Sequence, residues 1–478
     1  MLGLVGIILS LLLLMYLAYR GINVLILAPL LALLAVLFAG DIPLLGTYTQ
    51  VFMTALGKYV VQYFPLFLLG AIFGKLMEDS GSARVIAHWI VEKTGAERVL
   101  LAVVLACGIL TYGGVSLFVV AFAVFPVAAA LFREAGVPKR LIPGAIALGS
   151  FTFTMTALPG TPAIQNAIPA PFFGTDAFAA PGLGFIGGLI MLGGGMLWLN
   201  WRAAAARRAG ESYGVIEHDA AGEGEFRPGT AGAAYVGEMP AGHPLPSFTV
   251  AIIPIVLVIV FNYLFSTYFI PMLDTGYLAE PKYGSTNLQA VRGIWAIIVA
   301  LFLAILALIA LNWSTFKDLK ASVNDGTMGS LLPIFNTASE VGYGATIASL
   351  PAFAIIKDAV LNVGGGNPVI SLAVAVNVLA GITGSASGGM SIALQTLGPT
   401  YAELAQAAGI NPQILHRVAA LASGGFDSLP HNGAVITLLA ITGLTHRDSY
   451  ADIGMVSVVI PLLALVVVLV LFSLFGTF

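Results

Sequence analysis

Charge is scarce in this chain. Only 9% of its 478 residues are Asp, Glu, Lys or Arg, and 59% are hydrophobic. Soluble globular domains carry roughly 25% charge. The shortage excludes an ordinary soluble enzyme, and the hydrophobic excess excludes a disordered chain. Neither sign dominates: 20 basic residues stand against 23 acidic ones, a net charge of −3. The basic excess that a nucleic-acid binder needs to meet phosphates is therefore missing. Cysteine is nearly absent. Cys107 is the only one, which excludes an intramolecular disulfide and a Cys-based metal site. No Walker-type phosphate loop occurs, so primary ATP-driven pumping has no support. No metal and no cofactor is expected. Met1-Leu2-Gly3 has no basic n-region and runs straight into an apolar stretch. It reads as the start of a first transmembrane helix, not as a cleaved signal peptide.

What is present is apolar sequence in span-length pieces. A transmembrane helix needs about 20 mostly apolar residues. On that scale spans are expected near 2–19, 22–40, 61–78, 141–168, 182–201, 247–269, 291–311, 328–350, 412–443 and 451–475. Two longer stretches, 98–132 and 367–398, carry small polar residues at the middle and no charge there. Each can enter and leave the membrane on one side, as a re-entrant hairpin whose irregular backbone is covered by protein or a watery cavity. Two ordinary short helices would be the plainer alternative. Residues 202–246 hold ten of the 43 charges and are rich in Gly and Ala, as a flexible linker would be.

The linker divides the chain into 1–201 and 247–478, each with five spans and one hairpin. The two parts also match in sequence. Leu110-Thr111-Tyr112-Gly113-Gly114-Val115-Ser116 recurs as Ile382-Thr383-Gly384-Ser385-Ala386-Ser387-Gly388, 272 positions on. Ala157-Leu158-Pro159-Gly160-Thr161-Pro162-Ala163-Ile164 recurs as Ser428-Leu429-Pro430-His431-Asn432-Gly433-Ala434-Val435, 271 positions on. Five spans is an odd number, so the second repeat is expected upside down relative to the first. The fold class expected is an all-α polytopic membrane protein of two inverted repeats, each with one broken helix, 141–168 and 412–443. With the N-terminus outside, 15 basic residues fall on the inner side and five, Lys58, Lys282, Arg292, Lys357 and Arg417, on the outer. That bias predicts both termini outside a bacterial inner membrane.

Inverted repeats with interrupted helices are the pattern of secondary transporters, whose ligands bind near the midplane between half-helix ends. Bare N–H groups at one end attract anions, and bare C=O groups at the other attract cations. Candidate substrate-binding residues follow from the two tips and the two breaks. They are Thr111, Gly113, Gly114 and Ser116; Thr156, Gly160, Thr161, Gln165 and Asn166; Thr383, Gly384, Ser385 and Ser387; and His431 and Asn432. Asp427, with Ser428 beside it, and Glu340 are acids in apolar surroundings, functional by default at membrane depth. They are the candidates for carrying a coupling cation. Asp427 can equally cap a half-helix, and Glu340 can sit at a helix interface. Gly70-Ala71-Ile72-Phe73-Gly74 reads as a helix-packing motif. No Lys or Arg falls inside a tip or a break, so a multiply charged anion would find no clamp. A singly charged carboxylate needs only N–H groups and hydroxyls. Carrying it inward against the potential costs about 2.3 kcal/mol per 100 mV, and one cotransported H⁺ or Na⁺ would cancel that charge.

The sequence resembles the gluconate permease (GntP-type) family of bacterial symporters, within the ion-transporter superfamily, over nearly the whole chain. The resemblance rests on Ala18-Tyr19-Arg20-Gly21, on Phe67-Leu68-Leu69-Gly70-Ala71-Ile72-Phe73-Gly74-Lys75-Leu76, and on the tips and breaks. The family carries an acid in the first tip and a histidine beside the first break; here those places read Thr111-Tyr112-Gly113-Gly114 and Leu158-Pro159-Gly160-Thr161. The set looks like a subgroup linked to 3-hydroxybutyrate. The resemblance implies a homodimer working as an elevator, with scaffold spans 2–78, 182–201, 247–350 and 451–475 and mobile hairpins and broken helices. It also implies H⁺ as the coupling ion. A gluconate or other sugar-acid permease, a Na⁺-coupled carboxylate symporter and a passive anion channel are the alternatives.

Overall fold

The computed structural model describes residues 2–20, 22–40, 42–94, 98–115, 117–214, 245–430 and 432–476. Ser116, His431 and most of the 202–246 linker lie outside the described residues. The regular structure described is helical. In the first part the helices are α1 (Leu2–Tyr19), α2 (Val24–Ala39), α3 (Leu44–Asp79), α4 (Ser82–Thr94), α5 (Val99–Tyr112), α6 (Leu117–Glu134), α7 (Ile142–Ser150) and α8 (Pro181–Arg208). Between α7 and α8 lie three one-turn pieces, Phe153–Thr156, Ile164–Ala167 and Ala170–Phe173. The second part holds α9 (Phe248–Met272), α10 (Leu288–Leu311), α11 (Leu319–Ser349), α12 (Phe353–Leu361), α13 (Pro368–Thr383), α14 (Ala386–Ala407), α15 (Pro412–Ser423), α16 (Gly433–Thr442) and α17 (His446–Phe475). The element order recurs: a helix pair, a long helix, a short helix, a hairpin, a broken helix, a long helix.

The helices start where the sequence supplies an acceptor. Asn23, Ser247, Asn287, Asp318, Asn367, Ser385, Asn411 and Asn432 each take a backbone N–H of the first turn. Those N–H groups have no partner within the helix, and an apolar surrounding offers none.

Two sets of helices pack differently. The long helices α3 and α11 cross each other, with α2 against α11 and α10 against α3. The crossing is close: a methyl group at Gly326 would lie 2.8 Å from the Ile72 Cα. The second set is built from the hairpins α5–α6 and α13–α14, the half-helices α7, α15 and α16, and the two helices α8 and α17. A smaller core joins α1 and α2 to the ends of the long helices through Phe52, Tyr343 and Ile347. There Ser10 and Tyr343 share a hydroxyl–hydroxyl bond of 2.7 Å.

Several expectations change at this level. Spans 182–201 and 451–475, expected with the long helices, pack on each other and on the half-helices instead. The 141–168 stretch is not one broken helix with two comparable arms. Its first arm is α7, and beyond the break it continues only as one-turn pieces, because Pro159, Pro162, Pro169 and Pro171 remove backbone donors. By length and apolar character, α3, α8, α9, α10 and α17 suffice to cross a membrane. The bent pair α11–α12, turned by 98°, makes six among the described residues. The remaining expected spans are shorter helices. Within the glycine motif, Gly70 faces open space, and Gly326 makes the close approach to α3.

Candidate functional site

The first tip is the turn after α5. Gly114, at φ 94°, lets the Val115 N–H return to the Leu110 carbonyl at 3.1 Å. The Tyr112 hydroxyl then donates to the Pro159 carbonyl at 2.6 Å, tying tip to break. Gly114 faces Pro162, and Thr111 is buried with its Oγ1 unpartnered among the described residues. Gly113 is pressed against Ile255 of α9.

In the first break, Asn166 is the organising side chain. Its Nδ2 donates to the carbonyls of Thr161 (3.0 Å) and Ala177 (2.8 Å). Its Oδ1 accepts from His416 Nε2 and from Arg417, both at 3.2 Å. On the other side of the ring, His416 Nδ1 shares a hydrogen bond of 2.7 Å with the Thr175 hydroxyl. Asn262 donates to the Gly160 carbonyl at 3.2 Å. Thr161 and Gln165 are buried, and the Thr156 hydroxyl donates to the Thr152 carbonyl at 3.1 Å.

Arg417, counted among the outer-side basic residues of the 412–443 span, is not exposed at an end of it. It is 0% exposed, on α15. Its Nε donates to Ala179 O, one terminal nitrogen to Ala157 O and Asn166 Oδ1, and the other to Ala177 O and Ala179 O, at 2.7–3.3 Å. A guanidinium has five N–H donors, and all five are used. A cation therefore does stand at the first break in space, though none stands there in sequence. With no donor left it cannot clamp an anion directly. It supplies positive potential instead, answered here by carbonyl dipoles and, without a hydrogen bond, by the Asp176 carboxylate.

The second tip and break are tied in the same way. Gly384, at φ 65°, ends α13, and Ser385 begins α14 by accepting the Gly388 N–H at 3.0 Å. Asn432 caps α16 through Val435 N–H at 2.9 Å, and its Nδ2 donates to the Gly384 carbonyl at 2.8 Å. The hairpin arms touch: a methyl group at Gly389 would overlap the Ala380 backbone. Thr383 is buried and bonds back to its own helix at 2.9 Å, and Ser387 faces Ser385 at 3.5 Å. Asp427 is 4% exposed; its Oδ1 accepts from the Ser428 hydroxyl at 3.2 Å, and the Tyr450 hydroxyl donates to Ser428 O at 3.1 Å. Asn377 accepts the Phe426 N–H at 3.4 Å and steadies the turn. The breaks meet where a methyl group at Gly424 would come within 2.8 Å of Thr156.

Glu340 reaches the second tip from α11. Its carboxylate lies so close to Gly388 that a methyl group there would overlap Oε2. The Ser385 hydroxyl lies beside it. Tyr59 of α3 and Ser391 of α14 adjoin each other there, their hydroxyls buried and with no other partner among the described residues. Among the described residues no group of three or more His, Cys, Asp or Glu could hold a metal ion.

Thus tip joins break within each part, the two breaks touch, and Glu340 adds a carboxylate to the second tip. Sequence reading missed Tyr59, Tyr112, Asn377, Ser391, His416 and Arg417. For Arg417 a signal was available, since a basic residue followed at once by Val418-Ala419-Ala420-Leu421-Ala422 is not at a helix end. On α17, two residues after Tyr450, Asp452 is fully buried and bonded to Arg140, Arg202 and Trp198. Arg140 also pairs with Glu211 at 2.7 Å and holds that carboxyl below its ordinary value.

No family model matches the chain. It is 45% identical to the uncharacterized transporter YxjC of Bacillus subtilis (strain 168), over 99% of each chain. Similarity at that level across the whole length, with the apolar helices, makes this a membrane protein with a transport role and not an enzyme. The chain belongs to the transporter family of which YxjC is a member.

Proposed function

We propose that this transporter imports a small hydroxy-monocarboxylate, of the size and chemistry of 3-hydroxybutyrate, together with one cation. The observation that carries the reading is the pairing of each tip with its break: Tyr112 to the Pro159 carbonyl, Asn432 to the Gly384 carbonyl. These pairs bring helix ends, hydroxyls and amides together without a ligating cation. Such a set suits one carboxylate and a hydroxyl, and it is too sparing for a polyhydroxylated acid such as gluconate. The positive potential of Arg417, with no carboxylate bonded to it, favours an anion at the first break.

The coupling ion in this account is H⁺, with Asp427 and Glu340 as its carriers and Ser428 as the hydroxyl bonded to Asp427. The recurring element order and the matched motifs support two inverted repeats, 1–201 and 247–478, joined by a cytoplasmic linker. In an elevator, the hairpins and half-helices would move against the long helices. The packing of α8 and α17 on each other and on the half-helices supports counting them with the moving body, leaving a scaffold of α1–α3 and α9–α11. The protein would sit in the bacterial inner membrane as a homodimer, both termini outside.

A thermal-unfolding screen of small carboxylates, run with and without Na⁺, tests the substrate class. A ligand at 100 times its Kd stabilises by about 2.7 kcal/mol. Stabilisation by 3-hydroxybutyrate and not by gluconate, irrespective of Na⁺, is expected. Stabilisation by gluconate alone would overturn the substrate class.

A further inference from the structure

We infer that the Glu340 carboxylate and the carboxylate of the transported acid are alternative occupants of one site, the start of α14 beside Ser385, and that their exchange links proton to substrate. The inference rests on the carboxylate-transport reading above.

Peptide N–H groups at the first turn of α14 point toward the hairpin turn, where they favour an anion. Glu340 lies against that turn. Its residue is 4% exposed, and Oε2 has no hydrogen-bond partner among the described residues. Three more oxygens of neighbouring side chains are buried: Tyr59 Oη and Ser391 Oγ, which adjoin each other and have no other partner among the described residues, and Asn336 Oδ1, one turn earlier on α11, which has none. Folded proteins leave few such atoms, and here four belong to side chains of α3, α11 and the first two turns of α14. Glu340 alone does not satisfy them. A guest with one carboxylate and one hydroxyl would meet two of the four: with its carboxylate at the start of α14, its hydroxyl faces Tyr59 and Ser391.

Two carboxylates cannot share the site, because like charges repel strongly away from water. When the substrate anion arrives, Glu340 takes a proton from water on the side the site then faces, and withdraws as a neutral acid. The substrate stays an anion, so H⁺ and RCOO⁻ cross together with no net charge. On release the proton returns to water, and the Glu340 carboxylate returns to the tip. Tyr59 is the titratable group facing Glu340 from α3, with Lys58 next to it exposed. No charged residue lies on α2 or in the first turns of α14. Lys320 and Asp325 are 15 or more positions away on α11, and Lys357 and Asp358 lie on α12 beyond its end. Asp427 interacts instead with Ser428 and Tyr450.

The test is equilibrium binding of labelled 3-hydroxybutyrate to the purified full-length protein and to Glu340→Gln, as a function of pH. Linkage to one proton makes wild-type affinity fall about tenfold per pH unit on the alkaline side. Glu340→Gln should bind with no such slope, and in vesicles should keep substrate exchange while losing acid-driven accumulation. A wild-type affinity independent of pH would overturn the proposal without recourse to the variant. Equal slopes in the two proteins would overturn it as well, and leave the carboxylate reading intact. Absence of binding at every pH would overturn that reading and the proposal together.

Discussion

Replacing Arg417 separates two things its side chain does. The guanidinium spends five hydrogen bonds on four acceptors, Ala157 O, Asn166 Oδ1, Ala177 O and Ala179 O, and so holds the first break against α15. It also leaves a positive charge there. Lysine keeps the charge but has three donors on one nitrogen, so at least two bonds are lost. Bonds to a charged group contribute about 1.5–3 kcal/mol each, which puts Arg417→Lys at least about 3 kcal/mol below wild type. Methionine removes the charge as well. Asn166 Oδ1 then keeps His416, and Ala177 O keeps Gly160 N–H and Asn166. Ala157 O and Ala179 O lose their Arg417 donors at about 1–3 kcal/mol each. Relief from burying a charge offsets part of that loss. Thermal unfolding and substrate binding, measured on both variants, resolve the two roles. Both variants should unfold earlier than wild type, and only Arg417→Met should lose most of its affinity for a carboxylate. An Arg417→Met protein as stable as wild type, with unchanged affinity, would refute the reasoning.

Asn432 should separate in the same manner: Asn432→Asp keeps the cap on α16 but loses the donor to Gly384, so it should lose about 1 kcal/mol together with transport, whereas Asn432→Ala loses both bonds and about 2 kcal/mol. Gly389→Ala forces a methyl group into the Ala380 backbone and should prevent assembly of the second hairpin, seen as loss of monodisperse protein; Gly433→Ala, with nothing within 4 Å, is the neutral control. Asp452→Asn leaves Arg140 and Arg202 without their buried partner and should cost about 3 kcal/mol in unfolding measurements. Because Arg140 lowers the Glu211 carboxyl in the folded state, its stabilisation is present above the ordinary glutamate value and lost as pH falls through the lowered one; Glu211→Gln should differ from wild type at neutral pH and not in acid.

Much of this molecule is legible before any coordinates. The tips at Thr111-Tyr112-Gly113-Gly114 and Thr383-Gly384-Ser385 are visible because turns inside apolar stretches need glycine and hydroxyl residues. The second break is visible because Gly424-Gly425 and Pro430 cannot continue a helix. Two kinds of feature are hidden. One is partnership over distance: nothing in the order of residues says that Arg417 serves carbonyls at 157, 177 and 179, or that Tyr59 stands by Glu340. The other is allegiance among equally apolar helices. Hydropathy marks α8 and α17 as spans, but only packing tells that they go with the half-helices. The short amphipathic α4 and α12 fall below span length and were invisible on that scale.

The most direct test of the account is uptake of labelled 3-hydroxybutyrate into proteoliposomes holding the purified protein, with an inward gradient of H⁺, of Na⁺, or of neither. The account predicts accumulation above the external concentration with the H⁺ gradient, abolished by an uncoupler, and only equilibration without it. Uptake indifferent to both gradients would contradict symport, and accumulation driven by Na⁺ alone would contradict the proton as the coupling ion.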